Sequence, residues 1–309
     1  YDTGDEQRSL GTNTRGMDSA CCAENDQRFS QSESTPPMTD PLMADLGYLA
    51  DTIEADRILA GTYSIPTGLD VYTAKLIAEL RMPEVIRHNR QTPEYVSTLD
   101  HTSGWYRQKE NVSADPDGLS FSHFKAGSQD DLISQFDATL RSLPYQYGFS
   151  PTAWQHLTDV EILKKAGVYD IEKMRTIILM NSEFNMNNKK LGRDMMWNAE
   201  KHGTLAREQY GSRKYHRAII AALNKRLTID MLRLRCSAGA ICSNDAKSCY
   251  GRIVHSIASL AMRRQGVPKN PIKSMFMTLQ KSAHKIRTAY GISAGSYGPH
   301  REPPLQTIG

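Results

Sequence analysis

The chain has 309 residues, 39% of them hydrophobic, with a mean hydropathy of −0.52 and a net charge of +4. That length suits one large or two ordinary domains, and no apolar run approaches the roughly 18 residues that span a membrane. Because its acidic N-terminus is unlike a signal peptide, we expect an intracellular protein, cytoplasmic or nuclear, that is not secreted. Five cysteines without a Cys-x-x-Cys spacing favour reduced thiols over a zinc site or disulfides.

The charges are divided unevenly between the two halves of the chain. Residues 1–150 carry 12 Lys and Arg against 23 Asp and Glu, a net charge of −11. Residues 151–309 carry 26 against 11, a net charge of +15. A basic surplus of this size indicates a surface that binds a polyanion, with solvated surface charge as the alternative.

The N-terminal third predicts a tail followed by helices. Residues 1–40 are rich in Ser, Thr, Gln, Asp and Glu, which predicts a disordered polar tail. Residues 41–112 predict a helical extension, whose first amphipathic helix carries Leu42, Leu46, Leu49, Ile53 and Leu59. A second helix, ending before Pro83, carries Val71, Ala74, Ile77 and Leu80. Because no catalytic spacing occurs here, we interpret these helices as packing on the rest of the chain or on a partner.

Residues Asp115–Gly118 predict a turn, which the segment LSFSHFKA follows. Further along the chain, the sequence predicts a β-hairpin with a basic end. Its first strand contains Val160, Ile162 and Leu163, a turn follows around Gly167, and the second strand is 175–179. Three cations lie at its tip and base: Lys164, Lys165 and Arg175. Such side chains can clamp a triphosphate, although an ordinary exposed hairpin has the same pattern.

Two polar stretches follow the hairpin. Residues 183–201 predict a loop leading into a helix, with side chains suited to phosphate and sugar contacts: Asn185, Asn187, Asn188, Lys189, Lys190 and Arg193. Residues 209–214 predict a second loop, where Gly211 allows close backbone approach. The helix after it is predicted to pack in the core through Ile219, Ala222, Leu223 and Leu227.

The stretch 240–267 predicts a buried strand followed by a helix. The apolar run Ala240–Cys242 is too short for a helix, and Asp245 stands where the strand would end. The helix carries Ile253, Ile257, Leu260 and Ala261 on one face. A carboxylate at a strand end can hold Mg²⁺ near phosphates, and a simple helix N-cap is the alternative.

The C-terminal residues predict one more helix and a hairpin. The helix covers about 269–281 and is started by Pro268 or Pro271. Residues 284–290 alternate as a strand, and a hairpin turn contains Gly291, Gly295 and Gly298.

These motifs resemble one family. Asp245-x-x-x-x-Tyr250 after an apolar run resembles the first palm motif of reverse transcriptases, most closely in polymerases of non-LTR retroelements. The turn ending at Gly118, the Lys-Lys to Arg-Thr-Ile hairpin, the Arg-x-Met-Met helix and the Gln-Tyr-Gly loop are similar to the family's segments, in the same order. The resemblance implies an α+β fold, the fingers and partial palm of a right-hand polymerase, over residues 113–309.

The resemblance also implies an activity and a site. It implies an RNA-directed DNA polymerase that binds an RNA template, a DNA primer, dNTP and two Mg²⁺ ions, with Mn²⁺ as a substitute. Asp245 would be the catalytic carboxylate and, with the Ala246 carbonyl, a metal ligand, while the Tyr250 ring would exclude a ribose 2′-hydroxyl. The dNTP would contact Lys165 or Lys164, Arg175, Ala246 and Tyr250. Template and primer would contact Gln209, Gly211, Arg213, Lys189, Lys190 and Arg193. No protein partner is indicated.

Two departures from the family pattern bear on activity. The family's Gly-rich segment and aromatic-x-Asp-Asp hairpin do not occur in the 309 residues, and Gly251 stands where the family has Asp. The chain also begins with Tyr1, which favours a fragment or processed product. We therefore expect the chain alone not to polymerise. Two other hypotheses remain open: a nucleic-acid-binding remnant without chemistry, and a helical structural protein whose charges are solvated surface.

Overall fold

The computed structural model describes residues 40–89, 92–167, 174–243, 253–288, 291–296 and 298. Within these ranges the fold is α+β, with helices around one four-stranded mixed sheet. The helices are α1 (Leu42–Leu46), α2 (Ile53–Ala60), α3 (Val71–Glu79), α4 (Glu84–Arg87), α5 (Thr98–Tyr106), α6 (Phe121–Gly127), α7 (Asp131–Tyr147), α8 (Ser182–Lys201), α9 (Ala218–Leu234), α10 (His255–Arg264) and α11 (Lys269–Gln280). The strands are β1 (His156–Leu163), β2 (Met174–Leu179), β3 (Ala283–Thr288) and β4 (Gly291–Ile292). Of the predicted tail, residues 1–40, all but the last residue lie outside this description.

The first predicted helix is two helices in the structure. Gly47 adopts a φ of 61°, which ends α1, and the Thr52 side chain accepts a hydrogen bond from the backbone N–H of Ala55 to start α2. The expectation of one continuous helix through Leu59 was therefore wrong, because a glycine and a capping residue interrupt the apolar pattern. Helix α3 forms as predicted and is capped by the side chain of Asp70.

The N-terminal helices share a hydrophobic core with the C-terminal half of the chain. Side chains from α1, α2 and α3 surround Leu260 of α10, which is 0% exposed. Arg263 of α10 also forms an ion pair with Asp56 of α2. The helical extension is thus packed on the rest of the fold, and the domain boundary at residue 112 stays a prediction.

A second core cluster joins α7, α8 and α11. It contains Tyr145, Leu191, Val267, Ile272 and Phe276, all buried. Helix α11 begins after Pro268, as predicted, and its burial against α7 fixes the two long helices relative to one another. Of the described helices, none is both long enough and apolar enough to cross a membrane.

The sheet has the order β2-β1-β3-β4. Strands β1 and β2 form the predicted antiparallel hairpin, while β3 adds to β1 in parallel and pairs with β4 in antiparallel orientation. Buried Asp159 of β1 accepts a hydrogen bond at 3.1 Å from Nδ1 of His284 in β3. On the other side of that ring, Nε2 lies 3.0 Å from the Ser282 hydroxyl, which donates to the carbonyl of Leu279. This buried polar chain ties the two parallel strands together.

Four further expectations were wrong. The run Ala240–Cys242 is not a buried strand, because it pairs with no strand in the described ranges and Ile241 is 51% exposed. Helix α9 has no buried residue, so the side chains expected in the core lie on its surface. The polar stretch from residue 183 is helical from its start, since the Asn181 side chain caps α8. The apolar face predicted for the helix after Asp245 is wrong at two positions, because Ile253 precedes α10 and Ala261 is exposed.

The shared core predicts a large loss of stability for Leu260→Ala. Truncating a fully buried leucine removes apolar burial and leaves a cavity, so the free energy of unfolding should fall by about 3 kcal/mol. Urea unfolding would measure this change from the midpoint at an unchanged m-value. The matched control is Leu234→Ala in α9, where the side chain is 85% exposed and the change should stay within about 0.5 kcal/mol. Equal midpoints for the two variants would show that α10 does not hold the N-terminal helices.

Candidate functional site

The residues predicted to hold the metal and select the sugar lie outside the described ranges. These are Asp245, Ala246 and Tyr250, together with Gly251. In the part of the chain that is described, no cluster of three or more His, Cys, Asp or Glu is arranged to hold a metal ion. The assignments to these residues therefore stay predictions.

The β1–β2 hairpin presents its cations to solvent. Lys164 and Lys165 follow the end of β1 and are exposed, as is Arg175, which pairs with Ile162 across the hairpin. The hydroxyl of Thr176 donates to Glu161 at 2.8 Å and fixes the neighbouring position. Since β2 is an edge strand, the hairpin brings these three cations to one end of the sheet edge, where an anion can reach them.

The loop before α9 is held by Arg213. Its guanidinium donates to both carboxylate oxygens of Glu200, at 2.6 and 2.9 Å, and to the carbonyls of Ala206 and Gln209. The ion pair also lowers the pKa of the Glu200 carboxyl. With its donors engaged inside the chain, Arg213 shapes the loop, and exposed Gln209 and Gly211 are the predicted site residues that face solvent there.

A basic pocket of about 190 Å³ lies among α5, α7 and α8. It is lined by Asp100, Gly104, Arg107, Gln108, Arg141, Met186, Lys189, Lys190 and Arg193. The structure thus brings together the three α8 cations predicted for template and primer. Lys190 is buried and pairs with Asp194 at 2.5 Å, whereas Arg193 lies 3.4 Å from both Asp100 and Asp194. Lys189 is exposed; its ammonium donates to Gln108 at 2.8 Å and lies 5.2 Å from the Phe121 ring.

Arg141 forms the floor of the basic pocket. It is 2% exposed, its Nε donates to Oδ1 of Asn187 at 3.0 Å, and its Nη1 donates to Nδ1 of His101 at 3.2 Å. No carboxylate of the described residues lies within ion-pair distance of the guanidinium, and Nη2 makes no hydrogen bond to them. Burial lowers the pKa of Arg141, while Glu183, at longer range, favours its charged form.

His101 is neutral, chiefly because it is buried. Burial, and then the charge of Arg141, lower the pKa of His101 to about 4. Since a guanidinium can only donate, Nδ1 accepts and the proton resides on Nε2, which has no partner among the described residues. Burial raises the pKa of Glu183 in the same region. The floor of the pocket is therefore buried and positively charged, and burial shifts the pKa values of its ionisable groups.

Arg107, Arg141 and His101 belong to this region of the structure but were not predicted from the sequence. The pattern of α7 contains a signal for Arg141, because it follows Ala138 by three residues and precedes Tyr145 by four, both of which are buried. A cation on the apolar face of an amphipathic helix is uncommon and points to a specific partner. Arg107 carries no comparable signal.

A scan against models of protein families finds no match for this chain, and a search of curated proteins finds no relative. The resemblance to reverse transcriptases thus stays a hypothesis that rests on motif order. The structure contributes the positions of the cations in the hairpin and in the basic pocket.

The lowered pKa of His101 predicts a loss of stability in mild acid. Between about pH 6.5 and pH 4 the unfolded chain takes up a proton at this residue that the folded chain excludes, so stability falls as the pH falls. From pH 7 to pH 5 the loss attributable to His101 is up to about 2 kcal/mol. Urea midpoints at both pH values should differ less in His101→Gln than in the natural chain. An identical pH dependence in the two proteins would mean that His101 protonates freely in the folded state.

Proposed function

We propose that this chain is the fingers and the first part of the palm of a non-LTR reverse transcriptase, an RNA-directed DNA polymerase. In this proposal it binds an RNA template, a DNA primer and dNTP. The complete polymerase would transfer a nucleotide from dNTP to the primer 3′-hydroxyl: the 3′-oxygen attacks the α-phosphorus and pyrophosphate leaves. The proposal builds on the α+β fold and on the motif order along the chain.

The observation that carries the proposal is the exposed basic end of the β1–β2 hairpin. Lys165, or its neighbour Lys164, and Arg175 are the residues that the family resemblance assigns to the incoming nucleotide, and all three are exposed. Cations at a sheet edge can neutralise a triphosphate through charge-assisted hydrogen bonds. The basic pocket supports the nucleic-acid part of the proposal, since its α8 residues are those assigned to template and primer.

The metal ligands present fit the expected ions only in part. A carboxylate from Asp245 and a carbonyl oxygen from Ala246 are the hard oxygen donors that Mg²⁺ prefers. One carboxylate does not make a cage for two divalent ions, and the described residues offer no second cluster. We therefore assign nucleotide and nucleic-acid binding to these 309 residues and no catalytic turnover. The second candidate, a non-catalytic nucleic-acid-binding remnant, is favoured by Gly251 in place of the family's Asp.

Primer extension tests the absence of turnover. The purified 309-residue chain, incubated with a labelled primer on an RNA template, dNTPs and Mg²⁺ or Mn²⁺, should give no extended product, because the remaining metal carboxylates are lacking. Asp245→Ala is the control for contaminating polymerases, since their products would persist in it. Extension by the natural chain that this variant abolishes would contradict the proposed lack of turnover.

Nucleotide affinity separates the two candidates. If the hairpin clamps the triphosphate, Lys165→Gln and Arg175→Gln should each weaken dNTP binding about tenfold, the loss of one charge-assisted hydrogen bond. Equilibrium dialysis with labelled dNTP would measure it. Lys225→Gln, an exposed lysine on α9, is the matched control and should change nothing. Equal affinities in all three variants would remove the nucleotide site and leave the non-catalytic remnant as the better hypothesis.

A further inference from the structure

The basic pocket has more positive charge than its own carboxylates balance. Lys190 and Arg193 are paired with Asp100 and Asp194. Three lining cations remain without an acidic partner among the described residues: Arg107, Arg141 and Lys189. A concave site lined by uncompensated cations concentrates anions, and the low dielectric of its walls strengthens the attraction.

The geometry of Arg141 indicates which anion the pocket binds. Arg141 is 2% exposed, and the carboxylates of Glu183 and Asp137 favour its charge only from beyond ion-pair distance, so an anion at its free edge would lower the cost of burying it. Two of its nitrogens are committed to Asn187 and His101, which fixes the guanidinium plane, and Nη2 is the donor left for a ligand. A fixed guanidinium with lysine beside it is the arrangement that recognises the oxygens of a phosphate.

A neighbouring depression indicates that the phosphate belongs to a polynucleotide. A groove of about 500 Å³ adjoins the basic pocket and shares Arg107 with it. Tyr106, next in the chain, lines this groove and is 77% exposed. The ammonium of Lys125, which pairs with Glu110 at 2.8 Å, lies 5.8 Å from the centroid of its ring. An exposed aromatic ring beside a cation is a stacking platform for a nucleic-acid base. A free phosphate would use the basic pocket and leave this groove unused.

We propose that the basic pocket holds a backbone phosphate of a single-stranded nucleic acid, and that an adjoining base stacks on Tyr106. Arg141 and Lys189 bind the phosphate oxygens, while Arg107 lies between the two depressions and contacts the backbone as it passes. This inference deepens the proposed function and rests on it for the class of ligand. It assigns three residues, Tyr106, Arg107 and Arg141, that the family resemblance did not provide.

Salt-dependent binding of a labelled RNA tests the inference. Fluorescence anisotropy of a single-stranded oligonucleotide of about 12 residues would give the dissociation constant over a range of salt concentrations. Each phosphate contact contributes about 0.7 to the slope of log affinity against log salt. Lys189→Gln and Arg107→Gln should each weaken binding about threefold or more and reduce that slope by about 0.7. Tyr106→Leu should weaken binding with little change in slope, because it removes stacking and no charge.

The control variant replaces a lysine on the same helix as Lys189 by the same residue, glutamine. Lys201→Gln removes an exposed α8 lysine that lies about 18 Å along the helix from Lys189, and it should leave both affinity and slope unchanged. All four substitutions are at exposed positions, so folding is expected to be retained, and urea unfolding would verify it. Arg141→Gln is left as a second-stage variant because its burial couples it to folding.

The outcomes separate the inference from the proposed function. If all four variants bind RNA with the affinity and salt slope of the natural chain, the pocket is not the phosphate site. The proposed function would still stand in that case. No RNA binding at low salt by the natural chain would remove both. Inorganic phosphate and dNTP serve as competitors: if either binds through Lys189 and Arg107 while Tyr106→Leu leaves RNA affinity unchanged, the site takes free phosphate and the polynucleotide assignment is wrong.

Discussion

The described structure depends most on one buried positive charge. The guanidinium of Arg141 on α7 joins α5 through His101 and α8 through Asn187, whose amide nitrogen donates back to the Arg141 carbonyl. The hydroxyl of Tyr145, one turn further along α7, donates to the Asn187 carbonyl. These hydrogen bonds fix three helices around a charge that water would otherwise solvate. A buried cation whose hydrogen-bond partners are neutral is a costly arrangement, and an anion bound at its free edge would offset part of that cost.

The ionisable groups around Arg141 have protonation states that fit its positive charge. His101 stays neutral beside it, Glu183 and Asp137 stabilise it from a distance, and the pocket above it is lined by further cations. The two core clusters hold the helices from outside this region, one through Leu260 and the other through α11. The basic hairpin lies at the sheet edge. The described part of the chain therefore contains these two cationic regions, and we propose that the hairpin binds the nucleotide and the pocket binds the nucleic-acid backbone.

Local sequence signals were enough to predict part of this fold. The hairpin, α3 and α11 formed where the sequence predicted them, because Gly167, Asp70 and Pro268 define their turns and starts within a few residues. The parallel pairing of β1 with β3 and the hydrogen bonds of Arg141 join residues far apart in the chain, and no periodicity contains that information. The apolar run before Asp245 was too short to specify a strand. The stripe on α9 was assigned to the core because amphipathicity marks an apolar face without showing what covers it.

We propose that the free edge of the Arg141 guanidinium binds a nucleic-acid phosphate. Nuclear magnetic resonance of arginine side chains, with and without a single-stranded RNA, measures this directly at Nε and the two Nη atoms of Arg141. We expect the Nη2 signal to shift and its proton exchange to slow when RNA is added, while the signal of Nε, which donates to Asn187, changes little. RNA that binds the chain and leaves every Arg141 signal unchanged would contradict it.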